Sequence, residues 1–346
     1  MTLHLVTGGT GYLGRHLVAK LLAGGKQVRV LARASSDVAG LDGAEIVRGD
    51  ITDRAAVESA LDGVERVFHV AAETRDGQPA DVYDKVNHKA VTQLLELASE
   101  RDVKRLVHTS HFYAIGRSGE PRSAPDFVND EYWTHDPGDI HDAQEESKYA
   151  AENSLNQRVS LSEPRLALIP TMMYGPELRD VSSVAELAHG NRIVRMLADH
   201  AAGKYPGIPG DGSQRWNLTH VEDVAAAHVT VMDAGDEGEW PPPRWTHWHY
   251  LCAGDNVSVK DLFARFGKLA GVGEPKSVMP RRGLSAKLLG ATPKEATRSP
   301  ERFLTDLHWW QFTPAMAEAD WGYAHRPLDE GLEQTVAWMR SSGLIG

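Results

Sequence analysis

A single cysteine, Cys252, stands among 346 residues, so no disulfide can close within the chain. That suits a reducing compartment, and Cys252 reads as a small buried apolar residue. Apolar runs are all short, and none approaches the ~20 residues that a membrane-spanning helix needs. The opening "MTLHLVTGG" enters an apolar strand directly, without the basic stretch and longer apolar segment of a secretory leader. A cytoplasmic location is the expectation. Positive charge is in deficit as well: 37 Lys and Arg against 48 Asp and Glu leave a formal net charge of -11. This balance speaks against nucleic acid and membrane surfaces as principal partners and leaves a small molecule. Internal repeats and low-complexity tracts are also missing, which excludes solenoids and disordered arrays.

What remains is an ordinary core-forming composition, 41% hydrophobic and 25% charged, enough for one large domain or two intimate ones. Short apolar runs at Leu3–Thr7, Val28–Ala32, Glu45–Arg48, Arg66–Ala71, Arg105–Thr109 and Arg165–Ile169 read as strands. Helical patterns fall between them at Tyr12–Ala23, Asp53–Leu61, Asn87–Glu100 and Asp142–Asn156. Val91, Leu94, Leu95 and Ala98 lie on one face of a 3.6-residue period. Strand and helix in steady alternation predict an α/β fold, a doubly wound parallel sheet of Rossmann type. After Tyr174 the rhythm breaks into Gly, Pro and charge. A later strand in "WHYLCAG" and helices near Val259–Ala270 and Leu328–Met339 predict a smaller C-terminal α/β lid. The expected division is a dinucleotide-binding domain over 1–174 and about 214–255, with a substrate-binding lid over 175–213 and about 256–346.

"VTGGTGYLG" sets Gly8, Gly11 and Gly14 three residues apart, between a strand and the helix it opens. One glycine allows a tight turn, one lets backbone N–H groups approach a pyrophosphate, and one lets helix pack on strand. The partial positive charge of a helix start favours the phosphates. The end of the second strand selects the dinucleotide. A carboxylate there would hold the ribose diol of NAD, but "VRVLARASS" offers Ala32 and then Arg33, with Ser35 and Ser36 beyond. Arginine pairs with a 2′-phosphate, so NADP(H) is expected over NAD(H).

These stretches, with "GDITD" at 49–53, "FHVAA" at 68–72, "VNHKAV", "VKRLVHTS", "SKYAAE", "MMYGP" and "HVEDVAAAH" at 220–228, resemble the extended short-chain dehydrogenase/reductase family. The type is that of the NAD-dependent epimerases and dehydratases. The matches run in order over about the first 230 residues, and "WGYAHRPLDEGLEQTVAWMR" is similar to the family's closing helix. "VRVLAR" looks most like dihydroflavonol reductase-type members, again an NADP signal. The resemblance implies that Tyr12 and Leu13 contact the pyrophosphate and that Asp50 and Ile51 hold the adenine edge. It implies that Val70, Ala71 and Ala72 pass under the cofactor and that Lys148 bonds the nicotinamide ribose. Asn87 and Thr171 join the expected cofactor set, and a homodimer through two long helices is a family-level expectation.

The resemblance also implies a catalytic Ser or Thr, Tyr and Lys, the tyrosine exchanging a proton while hydride moves. Four residues before Lys148, where that tyrosine belongs, stands Gln144 in "QEESKYAAE". An amide donates a hydrogen bond but does not exchange protons near neutral pH. Five residues before Gly116, the hydroxyl position holds His111. Tyr149 lies ~100° around the helix from Lys148 and does not replace the phenol. Histidine titrates near ~6.5 and can act as acid or base. His111 is therefore a candidate, as is His141, three residues before Gln144 and on the same helical stripe; both are also readable as plain hydrogen-bonding residues. Glu145 and Glu146 read as a solvated face. His247 and His249 alternate along a strand without a third ligand, so no metal is expected. Phe112, Tyr113, Tyr132, Trp133, Met172, Met173, Tyr174 and Trp216 fall where relatives border their substrate, or else in the core. They suggest a flat, apolar carbonyl or hydroxyl compound, polyketide-, steroid- or phenylpropanoid-like.

Three readings stay open at this point. The first is an NADP(H)-dependent oxidoreductase with a non-standard site. The second is a non-redox cyclase, lyase or isomerase on the same scaffold. The third is a catalytically silent dinucleotide sensor.

Overall fold

The computed structural model describes residues 2–101, 103–116, 118, 128–132, 140, 142–159, 165–205, 207–209, 211–235, 240–242, 245, 248–275, 278–279 and 308–346. Its first half alternates β1 (Leu3–Thr7), α1 (Tyr12–Ala23), β2 (Gln27–Ala32), β3 (Glu45–Arg48), α2 (Arg54–Ala60) and β4 (Arg66–His69). There follow α3 (Ala80–Tyr83), a π-helical stretch (Asp84–Lys89), α4 (Ala90–Glu100), β5 (Arg105–Thr109), α5 (Ala143–Val159) and β6 (Arg165–Pro170). The second half contains β7 (Met172–Tyr174), α6 (Arg192–Ala201), β8 (Ile208–Pro209), β9 (Arg215–His220) and α7 (Val221–Asp233). It closes with β10 (His249–Cys252), β11 (Asp255–Ser258), α8 (Val259–Ala270), β12 (Val278–Met279), α9 (Ala315–Trp321) and α10 (Leu328–Ser341).

Seven strands form one parallel sheet in the order β10-β6-β5-β4-β1-β2-β3. Strand order reverses between β1 and β4, which places a crevice beyond their carboxyl ends. Because successive side chains alternate, each strand feeds two cores. Val6, Val30, Phe68 and Val107 meet α1 and α7 on one face. Leu5, Val67 and Leu106 meet α2, α4 and α5 on the other. β9 pairs antiparallel with β11 and parallel with β7, in a small sheet beside the main one.

Several expected boundaries move, two of them beside the glycine loop and α5. The strand that starts at Arg66 leaves the ladder after His69 rather than Ala71. Val70 N still bonds Thr7 O at 3.1 Å, but the chain then bends past Gly8. The helix expected from Asn87 begins at Ala80, and Asn87 sits within its π-helical stretch. "ADVYDKVNHK" is polar and shows no apolar stripe; its order comes from tertiary bonds such as His88 Nε2 with Ser154 Oγ at 3.1 Å. Among the described residues no helix is long and apolar enough to cross a membrane.

Candidate active site

The glycine loop is shaped by close approach. Gly8 has φ +74°, and a Cβ there would lie 2.5 Å from Ala71 N. A Cβ on Gly14 would lie 2.0 Å from the Gly8 carbonyl oxygen. No side chain caps the start of α1, so the N–H groups of its first turn have no partner within the helix. Tyr12 and Leu13 have buried side chains in the core, and the Tyr12 hydroxyl donates to Gly175 O at 3.0 Å. Their backbone N–H groups belong to the uncapped first turn of α1. Val70, Ala71 and Ala72 run half-buried past Gly8, with Ala71 N 3.4 Å from Thr7 Oγ1.

At the end of β2, Arg33 is exposed, and its side chain forms no hydrogen bond or ion pair among the described residues. Two arginines unnoticed in the sequence hold the loop that follows it. Arg48 Nη1 donates to Arg33 O at 2.9 Å and to Ser36 O at 3.0 Å. Arg15, 4% exposed, bonds Thr10 O in the glycine loop at 3.3 Å and Asp37 O at 2.8 Å. One Asp50 oxygen accepts Thr52 N and Thr52 Oγ1 at 2.9 and 2.8 Å, and Ile51 is buried beside it.

α5 opens on Asp142, whose Oδ1 accepts the Glu145 N–H at 2.8 Å, a side-chain cap. One turn of that helix carries Gln144 and Lys148, each 4% exposed. Gln144 Nε2 donates to Glu73 O at 3.4 Å. Asn87 is occupied with the same segment: Oδ1 accepts Glu73 N at 2.8 Å, while Nδ2 donates to Glu73 O and to Ser147 Oγ at 3.3 and 3.1 Å. The Lys148 ammonium has no hydrogen bond among the described residues. Burial pulls its pKa down to about 8, and the Glu152 carboxylate works the other way.

Beneath it lie two imidazoles that the sequence reading passed over. His69 and His108 are neighbours in register on β4 and β5, their rings stacked 5.2 Å apart. Burial lowers His69 to about 3 and His108 well below its ordinary value, and the nearby Lys148 charge adds to both. Both rings are neutral. His111 is half-buried where β5 ends, and its Nδ1 accepts the Tyr113 N–H at 3.2 Å. The neutral ring therefore carries its proton on Nε2, where it can donate.

One expectation, a solvated Glu145, is overturned. Glu145 is 2% exposed rather than solvated, its first-turn carboxylate favoured by the helix start, whereas Glu146 is exposed. Phe112, Tyr113, Tyr174 and Trp216 are fully packed in a core with Trp310 and Phe312, and Tyr132 is 66% exposed. Thr171 is buried, and its hydroxyl donates to Asn217 Oδ1 at 2.7 Å. His141, Trp133 and His247 lie outside the described residues. Among the described residues no group of three or more His, Cys, Asp or Glu could hold a metal ion.

The model of the NAD dependent epimerase/dehydratase family matches residues 4–243. The chain belongs to this family. As an epimerase/dehydratase-type extended short-chain dehydrogenase/reductase, it is 30% identical to sterol demethylase protein B of Methylococcus capsulatus, over 99% of both chains. It is 25% identical to a putative dihydroflavonol 4-reductase of Synechocystis, over 98% of this chain and 95% of the relative. Among solved structures, gox2253 superposes with a TM-score of 0.79 at 26% identity, covering all of both chains. The UDP-glucose 4-epimerase of Thermus thermophilus, solved with NAD, superposes with a TM-score of 0.73 at 23% identity over 98% of this chain and 99% of that one.

Proposed function

We propose that this family member is an NADP(H)-dependent oxidoreductase with a rebuilt proton-handling site, acting on a mostly apolar or aromatic carbonyl or hydroxyl compound. Lys148 carries the reading: a buried ammonium without a hydrogen bond among the described residues calls for acceptor hydroxyls from a ligand. The sharp glycine loop against Ala71 and the uncapped start of α1 fit a pyrophosphate. Gly8, Gly11, Gly14 and the N–H groups of Tyr12 and Leu13 would line the phosphates, and Arg33 would pair with the 2′-phosphate. Asp50 and Ile51 would border the adenine; Val70, Ala71 and Ala72 would form the floor. Asn87 holds that floor to α5, and Thr171 holds the far wall through Asn217. When bound, the coenzyme supplies or accepts hydride. His111, with its proton on Nε2, would polarise or protonate the substrate oxygen, and Gln144 would help orient it. The names of the reductase relatives support the redox reading. The residue ranges given above for the sheet domain and the lid are kept as a proposed division.

Consumption of NADPH fluorescence across a panel of aromatic ketones tests this reading. Turnover of substrate with no change in the coenzyme would instead mark a lyase or isomerase, and dinucleotide binding with no turnover at all would mark a sensor. Arg33→Asp is expected to weaken NADPH binding by ~10- to 100-fold while sparing NADH, the size of a lost charge-assisted contact. Fluorescence titration with both coenzymes reads it, and equal wild-type affinities would remove the NADP preference. Gln144→Tyr alone is expected to gain less than the ~100-fold that a positioned general acid contributes, because His111 still departs from the pattern. Robust ketone reduction by that variant would make the glutamine the sole defect.

A further inference from the structure

Behind the site runs a buried chain of polar groups with no part in the reading above. The Ser110 hydroxyl donates to Glu152 Oε2. Glu152 Oε1 faces His249 Nδ1 at 3.2 Å, and His249 Nε2 donates to the Glu131 carbonyl at 2.8 Å. The Glu131 carboxylate accepts backbone N–H groups from Leu251, Ala317 and Met316 at 3.2 to 3.3 Å. All four residues are buried, His249 the most open at 9% exposed. Each ring nitrogen of His249 faces an oxygen that accepts, one a carbonyl and the other a carboxylate. Only the imidazolium donates to both. Burial opposes that charge, but Glu152 and Glu131 together outweigh it and raise the ring above its ordinary pKa.

Glu152 stands one helical turn after Lys148 on α5, on the same face. The surroundings of Lys148 are otherwise short of negative charge. On β4 and β5, His69 and His108 feel its charge, and burial keeps both neutral. From the loop after β4, Glu73 is tied to Arg75 in an ion pair of 2.6 Å. From β10 comes His249, whose pKa its carboxylate neighbours raise, and from the end of β5 comes His111, whose Nδ1 accepts the Tyr113 N–H. Position 144, where a tyrosine would share the charge, holds an amide.

We infer that Glu152, pinned by Ser110 and His249, is a positioning residue whose buried carboxylate is the counter-charge that keeps the Lys148 ammonium protonated in its pocket. The same pin joins both halves of the candidate site. Ser110 adjoins His111, Glu152 shares the helix of Gln144 and Lys148, and Glu131 reaches the first residues of α9. The purpose assigned to that ammonium, holding the coenzyme ribose, rests on the function proposed above; the charge pairing does not.

NMR of protein carrying ¹³C-labelled lysine tests the pairing without coenzyme, the Lys148 signal being assigned by its loss in Lys148→Met. In Glu152→Gln the Lys148 midpoint is expected to fall by about 1 to 2 pH units, the effect of removing one close opposite charge. A residue that only braced the fold would lower the melting temperature and leave that midpoint in place, and an unmoved midpoint overturns the inference. Should the variant fail to fold, ¹³C NMR of wild-type protein labelled at its glutamate carboxyls decides. An ionised Glu152 at pH 7 is the expected result, and a protonated Glu152 overturns the pairing. A shifted Lys148 midpoint in a protein that binds no NADP(H) would overturn the coenzyme reading and leave the counter-charge standing.

Discussion

Lowering the pH from 7.5 to 5 is expected to strip most of the protein's stability, with the urea midpoint falling steeply below pH 6.5. Four buried rings set this response: His69, His108, His220 and His228. In the unfolded chain they take up protons near pH 6.5. In the fold, burial holds His69 neutral to about 3, His220 and His228 to about 4, and His108 well below its ordinary value. The unfolded chain therefore binds more protons throughout that window. Stability is full above about pH 6.5 and is lost as the pH drops toward 4. Each ring costs ~1.4 kcal/mol per pH unit, so the four remove on the order of 8 kcal/mol by pH 5. Domain stabilities are ~5 to 15 kcal/mol in all. His249 and Glu131, both raised in the fold, pull the other way, but they stand against these four rings and against His4 and His16, which burial also lowers. Urea denaturation followed by circular dichroism at half-unit pH steps checks this. A midpoint that stays level from pH 7.5 to 5 would mean that the buried imidazoles are protonated within the fold.

Gly14→Ala is expected to abolish dinucleotide binding and to destabilise the fold by ~3 kcal/mol or more. The new methyl would lie 2.0 Å from Gly8 O and 2.8 Å from Gly9 Cα, backbone atoms with no rotamer to yield. Helix α1 must then lift from the loop, which moves the N–H groups of its first turn. Gly273→Ala is the matched control, since a methyl there meets nothing within 4 Å. Fluorescence titration with NADPH should show at least ~100-fold weaker binding for Gly14→Ala and no change for Gly273→Ala. Wild-type affinity in Gly14→Ala would detach the glycine loop from coenzyme binding altogether.

Much of the fold was legible because local and global signals agree. "VTGGTGYLG" placed β1, its turn and α1 with their observed limits, and the apolar runs at 45–48 and 105–109 became β3 and β5 unchanged. Where order comes from distant partners, the local pattern was silent. The helix from Ala80 to Lys89 lacks an apolar stripe and draws its bonds from α5. Aromatic residues near position 112 read equally well as pocket wall or as core, because the periodicity of a segment does not say which buried space a ring enters; burial assigned most of them to the core. The carboxylate–imidazole chain was illegible for a plainer reason: Glu152 and His249 lie 97 positions apart, and Glu131 and His249 lie 118 apart. "SKYAAE" did place Glu152 one turn beyond Lys148, and that spacing was the one available hint.

The main sheet takes in its strands out of chain order: β10 flanks β6, yet β7, α6, β9 and α7 all lie between them in the chain. On the ribosome, the outer rim of β6 must wait, its amide and carbonyl groups unsatisfied, until His249–Cys252 has been made. A nascent chain halted before that point carries an open, sticky border of the kind that chaperones cover and that aggregates recruit.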